Sequence, residues 1–225
     1  MNYVITMKVL VFDTETTGLP LGRNPSITEL ENWPHIIQLS FILYESDDVS
    51  MILCEDHIIK LDKTIHISEE SIRIHGITRS QSRRKGIPLK EAMNAFNNAL
   101  KIADCVVGHN ISFDKRMIMV ESNRLNIPQY FTNQNGGGMK EYCTMKNSIQ
   151  LCAIETTNKY GTTYLKYPKL QELHMKLFGN IPNGTHDSMG DVLICLRCYA
   201  MMIHSDDISK KGSYQLRTLY KRYCE

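Results

Sequence analysis

The sequence predicts an α/β fold, a central mixed sheet of about five strands with helices on both faces. Three observations predict it. Strand-like apolar runs come first, at residues 3–12, 35–44 and 51–60. Helical and strand patterns then alternate to residue 203. The chain has 225 residues, 42% hydrophobic and 22% charged, enough for one domain (1–225) with a substantial core.

The elements follow in order. The first run, 3–12, ends in Asp13-Thr14-Glu15. A polar, Pro-containing stretch, 21–33, reads as an inserted surface loop. The Glu45-Ser46-Asp47-Asp48 cluster reads as a hairpin turn, so the first three strands form an antiparallel meander. Ser68 is the expected N-cap of a short helix with Glu69 and Glu70 in its first turn. Arg79, Arg83, Arg84 and Lys85 read as a solvated loop or a phosphate-contacting flank. Pro88 suits the first position of a helix to about residue 102. Residues 105–107 are a short buried strand, expected parallel to its neighbour, and 112–124 are helical. Residues 126–140, with Asn133-Gln134-Asn135-Gly136-Gly137-Gly138, read as a mobile loop, and the wider stretch 129–166 as an insertion. Helices are expected at 168–178, closed by Gly179, and at 187–203, with Asp187 as N-cap or first-turn acid.

The formal net charge is only +2, which demands no nucleic-acid partner and predicts weak, length-insensitive binding beyond the last few nucleotides of any strand. No apolar run approaches the ~20 residues of a membrane span, and no secretory signal is evident. Seven scattered cysteines favour reduced thiols and an intracellular location, and Cys195-Leu196-Arg197-Cys198 reads as buried helix-face thiols.

The chemistry lies at element ends. On a strand, residues i and i+2 share a face, so Asp13 and Glu15 project side by side. Two adjacent carboxylates repel, and a divalent cation relieves the repulsion. Hard oxygen donors suit Mg²⁺ or Mn²⁺. Three further blocks stand out: Gly108-His109-Asn110-Ile111-Ser112-Phe113-Asp114, Ile74-His75-Gly76-Ile77-Thr78, and Thr185-His186-Asp187-Ser188-Met189-Gly190-Asp191.

Together these blocks resemble the DEDDh branch of the DnaQ-like 3′–5′ exonucleases, which share an RNase H-like fold. Asp13 and Glu15 match the D-x-E-T-T-G-L motif, Asp114 the H-N-x-x-F-D motif, and His186 with Asp191 the H-x4-D motif. Residues 74–78 match an auxiliary block of proofreading subunits such as the epsilon subunit of bacterial DNA polymerase III. The tyrosine branch is excluded, because Asp187 stands four before Asp191.

The resemblance implies a two-metal hydrolysis, with cations ~3.5–4 Å apart held by Asp13, Glu15, Asp114 and Asp191. It implies His186 as general base and nucleoside 5′-monophosphates as products. Thr16, Thr17, Gly18, Leu19, His75 and Phe113 are the candidate substrate contacts, with Gly18 allowing a tight turn and close backbone approach, and Leu19 wedging against the last base. His109 is expected to be structural. Single-stranded or frayed 3′ ends of DNA are the expected partner, with a polymerase as a further one. Two alternatives stand: an RNA-trimming enzyme, and a non-catalytic polymerase- or nucleic-acid-binding module. The inserted loops could cover the site, meet a partner or build a dimer. The Cys143-Thr144-Met145 triplet occupies the place of a D-T-x element, with Cys for the acid.

Overall fold

The computed structural model describes residues 7–132 and 137–225. The expected strand residues 3–6 and loop residues 133–136 lie outside the described residues.

The first strand, β1 (Lys8–Thr16), runs antiparallel to β2 (Ile36–Glu45), which pairs with β3 (Ser50–Ile58) as the meander predicted. β1 therefore runs on through both acids instead of stopping at Phe12. Helices α1 (Glu69–His75), α2 (Arg79–Lys85) and α3 (Leu89–Ile102) follow. Strand β4 (Cys105–Gly108) then pairs parallel to β1, and α4 (Ile111–Leu125) leads to β5 (Lys140–Cys143), parallel to β4. The sheet order is β3-β2-β1-β4-β5, so β1 is central. Two single-turn helices, α5 (Thr144–Asn147) and α6 (Ile149–Cys152), precede a small hairpin of β6 (Glu155–Thr157) and β7 (Thr163–Leu165). The chain ends in α7 (Leu170–Phe178), α8 (Ser188–His204), α9 (Ile208–Lys211) and α10 (Tyr214–Cys224).

Alternation along β1 divides the core. Leu10 and Phe12 pack with Phe96 of α3 and Met117 and Ile118 of α4. Val9 and Val11 pack on the other face with Val192, Ile194 and Leu196 of α8 and Leu216 and Tyr220 of α10. The period of 2 in β1 thus sends alternate residues into two separate helical layers.

Several expectations are corrected. The basic run at 79–85 is not a loop. Thr78 and Gln81 form a capping box, in which Thr78 N–H donates to Gln81 Oε1 at 2.7 Å and Gln81 N–H to Thr78 Oγ1 at 3.3 Å, and this starts a helix. Pro88 is the N-cap rather than the first helical residue of α3. The stretch 129–166 holds β5, two helical turns and a hairpin. Loop 21–33, read as an inserted surface loop, is anchored at its end: Arg124 donates to the carbonyls of Leu30 (2.6 Å), Trp33 (2.7 Å) and Pro34 (2.7 Å) and pairs with buried Glu121 at 2.9 Å. Ser68 caps α1 by accepting from Ser71 N–H at 3.0 Å, and Gly179 closes α7 at φ 78°, as expected. Cys195 and Cys198 are buried free thiols inside α8. Among the described residues, no helix is long and apolar enough to cross a membrane.

Candidate active site

Asp13 and Glu15 continue the face of Val9 and Val11, the face that packs on α8. The first turn of α8 stands over that end of β1 and brings Asp191 to it. One carboxylate oxygen from each of Asp13, Glu15 and Asp191 lies within 4.8 Å of the others. Asp114, in the first turn of α4, comes from the opposite layer. Its Oδ1 accepts from Thr14 N–H at 3.0 Å and Thr14 Oγ1–H at 2.8 Å, which fixes it beside the trio but outside it. Four acids separated by up to 178 residues thus meet at the end of the central strand.

Burial first, and repulsion second, raise the pKa of all four and favour the neutral form. Burial, then the charges of Asp13, Asp191 and Asp114, push Glu15 up to about 9. Burial and Asp13 raise Asp191 to about 8, against the pull of the His186 backbone N–H. Burial raises Asp13 to about 7, only partly opposed by the Ser188 hydroxyl. Burial and Asp13 hold Asp114 well above the usual carboxylate range. The pocket therefore holds negative charge poorly unless a cation is present. All the donors are hard carboxylate oxygens, so the residues fit Mg²⁺ or Mn²⁺ rather than a thiophilic ion.

His186 sits on the loop between α7 and α8, exposed, in the left-handed region at φ 70°. Its N–H donates to Asp191 Oδ2 at 3.2 Å. Its ring makes no hydrogen bond among the described residues. The loop is fixed from two sides. Gln171 donates to Thr185 Oγ1 at 2.8 Å. Asn183 N–H donates to the Cys224 carbonyl at 3.2 Å, and its side chain to the Glu225 carbonyl at 2.9 Å. Gly190 of α8 lies so close to the loop that a Cβ there would stand 2.0 Å from the Gly184 carbonyl oxygen. Asp187 is the N-cap of α8, accepting from Gly190 N–H at 3.2 Å.

Beside the acids opens a cleft of about 470 Å³ lined by Glu15, Thr16, Gly18, Leu19, His75 and Phe113. All the candidate contacts named from the sequence therefore line one cavity, except Thr17. Leu19 is 79% exposed at its rim. The two threonines are engaged within the protein: Thr16 Oγ1–H donates to the Gly18 carbonyl at 2.7 Å, and Thr17 Oγ1 accepts from His35 N–H at 2.9 Å. The backbone N–H groups of Gly18 and Leu19 make no hydrogen bond among the described residues, which leaves them as donors to the cleft. Gly18 is not held at a positive φ, and a Cβ there would meet open space. The tight turn therefore does not require glycine; only close approach of a ligand could. His75 Nδ1 accepts from Ile77 N–H at 3.0 Å, and burial lowers its basicity. His109 is structural in its contacts. It bonds Thr144 Oγ1 (2.9 Å) and the Pro168 carbonyl (3.0 Å), and burial pushes it down to about 4.

Three supporting residues escaped the sequence reading. Thr14 holds Asp114. Ser188 Oγ–H donates to the Asp13 carbonyl at 2.9 Å, and Gln38 Oε1 accepts from Ser188 N–H at 3.4 Å, which seats α8 on β1 and β2. Thr14 alone carried a signal, a hydroxyl between two acids on a buried strand.

A family model described as Exonuclease matches residues 10–199. No curated protein matches the chain. Among solved structures, E. coli Exonuclease I in complex with a dT13 oligonucleotide is 17% identical, with a TM-score of 0.66 over 91% of this chain and 41% of that one. The zinc-bound form of the E. coli ExoI–ssDNA complex is 18% identical (TM-score 0.62, 96% and 42% covered). Exonuclease I from Methylocaldum szegediense is 16% identical (TM-score 0.62, 90% and 42% covered). The chain spans about two-fifths of the length of these proteins. At such identity the likeness carries the fold, which is the RNase H-like exonuclease fold the sequence predicted. With the family match extending from β1 into α8 across every acid of the site, the chain belongs to the exonuclease family.

Proposed function

We propose that the chain is a 3′–5′ exonuclease that removes nucleotides from single-stranded or frayed ends, with DNA as its natural substrate. The observation that carries this reading is the convergence of Asp13, Glu15 and Asp191 within 4.8 Å, with Asp114 alongside and an open cleft adjoining. Two bound Mg²⁺ or Mn²⁺ ions would neutralise these acids and stabilise charge on the attacking and leaving oxygens of the scissile phosphate. Asp13, Glu15 and Asp191, with Asp114 alongside, would hold the ions.

The protein's own groups do the rest. Gly18 and Leu19 offer backbone N–H donors to the terminal nucleotide, and Leu19 presses on its base. His75 and Phe113 close the other side of the cleft. His186 accepts the proton of the attacking water on its imidazole. Its exposed loop position lets the ring turn inward once a strand occupies the cleft. The leaving group is the 3′-oxygen of the penultimate nucleotide, and a nucleoside 5′-monophosphate departs.

RNA is the alternative substrate. A polymerase partner would make the activity a proofreading one. The test is degradation of 5′-labelled DNA and RNA oligonucleotides with Mg²⁺, with chelator, and by Asp13→Asn. A ladder shortening from the 3′ end with Mg²⁺, and no cleavage with chelator or Asp13→Asn, is expected. Intact strands of both kinds with Mg²⁺ would refute the enzyme and favour a binding module.

A further inference from the structure

The modest net charge conceals an uneven distribution. Residues 140–169 carry five lysines against two glutamates, a net +3 that exceeds the +2 of the whole chain. Within this stretch the β6–β7 hairpin carries two exposed tyrosines, Tyr160 (80% exposed) and Tyr164 (51%), and Tyr167 (56%) follows two residues after β7. None of them belongs to the packed clusters of the core. Exposed aromatic rings grouped on one small element mark an interaction surface rather than core.

The hairpin is built rather than loose. Its turn is closed by Asn158, whose Oδ1 accepts from Tyr160 N–H at 2.9 Å and Thr162 N–H at 3.0 Å. Lys159 Nζ lies over the Tyr160 ring at 5.0 Å from its centroid. Tyr164 of β7 and Lys166, whose N–H extends the pairing to the Ile154 carbonyl at 2.9 Å, are two apart and share a face. Lys166 pairs with Glu172 at 2.5 Å, whereas Lys159 at the tip makes no ion pair among the described residues and has the Tyr160 ring as its neighbour.

The base of the hairpin stands at the acid end of the sheet. Val11 pairs with Val107 across β1 and β4, so Asp13 is level with His109 two residues on. His109 holds the carbonyl of Pro168, the residue next to Tyr167. On its other side, Gln171 holds Thr185, next to His186. The hairpin therefore springs from a frame shared by the acids and the His186 loop.

We infer that the β6–β7 hairpin is a single-strand guide, on which bases upstream of the 3′ end stack against Tyr160 and Tyr164 while Lys159 meets the phosphates. A π-face accepts every base, so such a guide is indifferent to sequence, and Lys159 at its tip favours a polyanion. This inference rests on the exonuclease reading for the polarity of the strand, and it replaces the expectation of length-insensitive binding.

The test is fluorescence anisotropy with labelled dT20 and dT3 in chelator, comparing wild type with Tyr160→Ala/Tyr164→Ala. Affinity for dT20 should fall about tenfold or more, and affinity for dT3 by less than about twofold, since loss of one stacked base costs that much. Should the double variant fail to fold, Lys159→Glu at the solvated tip serves instead, with weaker dT20 binding and a shallower salt dependence expected. Unchanged dT20 affinity in a folded variant overturns the guide. So does a wild-type dimer that the variant dissociates, because the tyrosines would then serve a second copy. Hairpin-dependent dT20 binding with no cleavage in Mg²⁺ would uphold the surface and refute the exonuclease reading. Cleavage with hairpin-independent binding would do the reverse.

Discussion

Replacing Glu15 by Gln should stabilise the metal-free protein at pH 8 while destroying its catalysis. Glu15 is raised from 4.5 to about 9, by burial first and then by Asp13, Asp191 and Asp114. A carboxyl held above its unfolded value contributes stability below that value and loses it as the pH climbs through the folded one. For Glu15 the window runs from 4.5 to about 9, and Asp13 at about 7 and Asp191 at about 8 lose their share inside it. At pH 8 the penalty on Glu15 alone has a ceiling of about 5 kcal/mol, at ~1.4 kcal/mol for each tenfold of acidity. Part of it is repulsion shared with acids that keep protons in response, which leaves about 2–3 kcal/mol. For a chain of this size that is about 5–10 °C in Tm. Differential scanning fluorimetry in chelator, at pH 5 and pH 8, measures it. Glu15→Gln should melt higher than wild type at pH 8 and close to it at pH 5. Millimolar Mg²⁺ should then raise the wild type more than the variant, because only the wild type keeps all four acids. An equal Tm for the two proteins at pH 8 in chelator, or an equal gain from Mg²⁺, would refute the electrostatic account of the site.

Three further outcomes are expected. His186→Ala should lower kcat by about 10²–10⁴-fold with little change in KM, as a base acts in the transition state; steady-state kinetics showing an equal loss in both would make His186 a positioning residue. Gly190→Ala should cost about 1–3 kcal/mol by strain and reduce turnover, because its Cβ would force the Gly184 carbonyl and the His186 loop to shift; urea denaturation paired with an activity assay checks this, and wild-type values in both would remove the loop's dependence on that contact. Arg197→Leu should destabilise by about 3–5 kcal/mol. Its guanidinium bonds both oxygens of Asp207 (2.8 and 2.9 Å) and the Tyr220 hydroxyl (2.8 Å), and without it buried Asp207 keeps only the Ser209 N–H and hydroxyl on Oδ1 and exposed Lys210 at 3.6 Å from Oδ2. An unchanged denaturation midpoint would show that the network contributes nothing.

What the sequence determined by itself was local and periodic. The apolar runs of β1 and β2, the Ser68 cap, the Gly179 stop and the motif around each acid are each written within a few residues. Each rests on an interaction of short range along the chain, so the meander, the βα unit and the acid motifs were legible. The helical face of α8 was legible as a whole, but not the partner it would choose. Tertiary structure decided that. The antiparallel and parallel pairing of one central strand aligns the ends of β1 and β4. Alternation then aims Asp13 and Glu15 at α8, while Thr14 turns to catch Asp114 from the other layer. Strand β5 and the β6–β7 hairpin were missed because they are short and polar, and take their form from pairing and from the Asn158 turn rather than from an apolar pattern. Helix α10 carried no motif, yet its end holds the His186 loop through Asn183, a pairing made across 41 residues. Contacts of that range depend on how layers stack, and stacking is decided only when the whole chain has closed around its core.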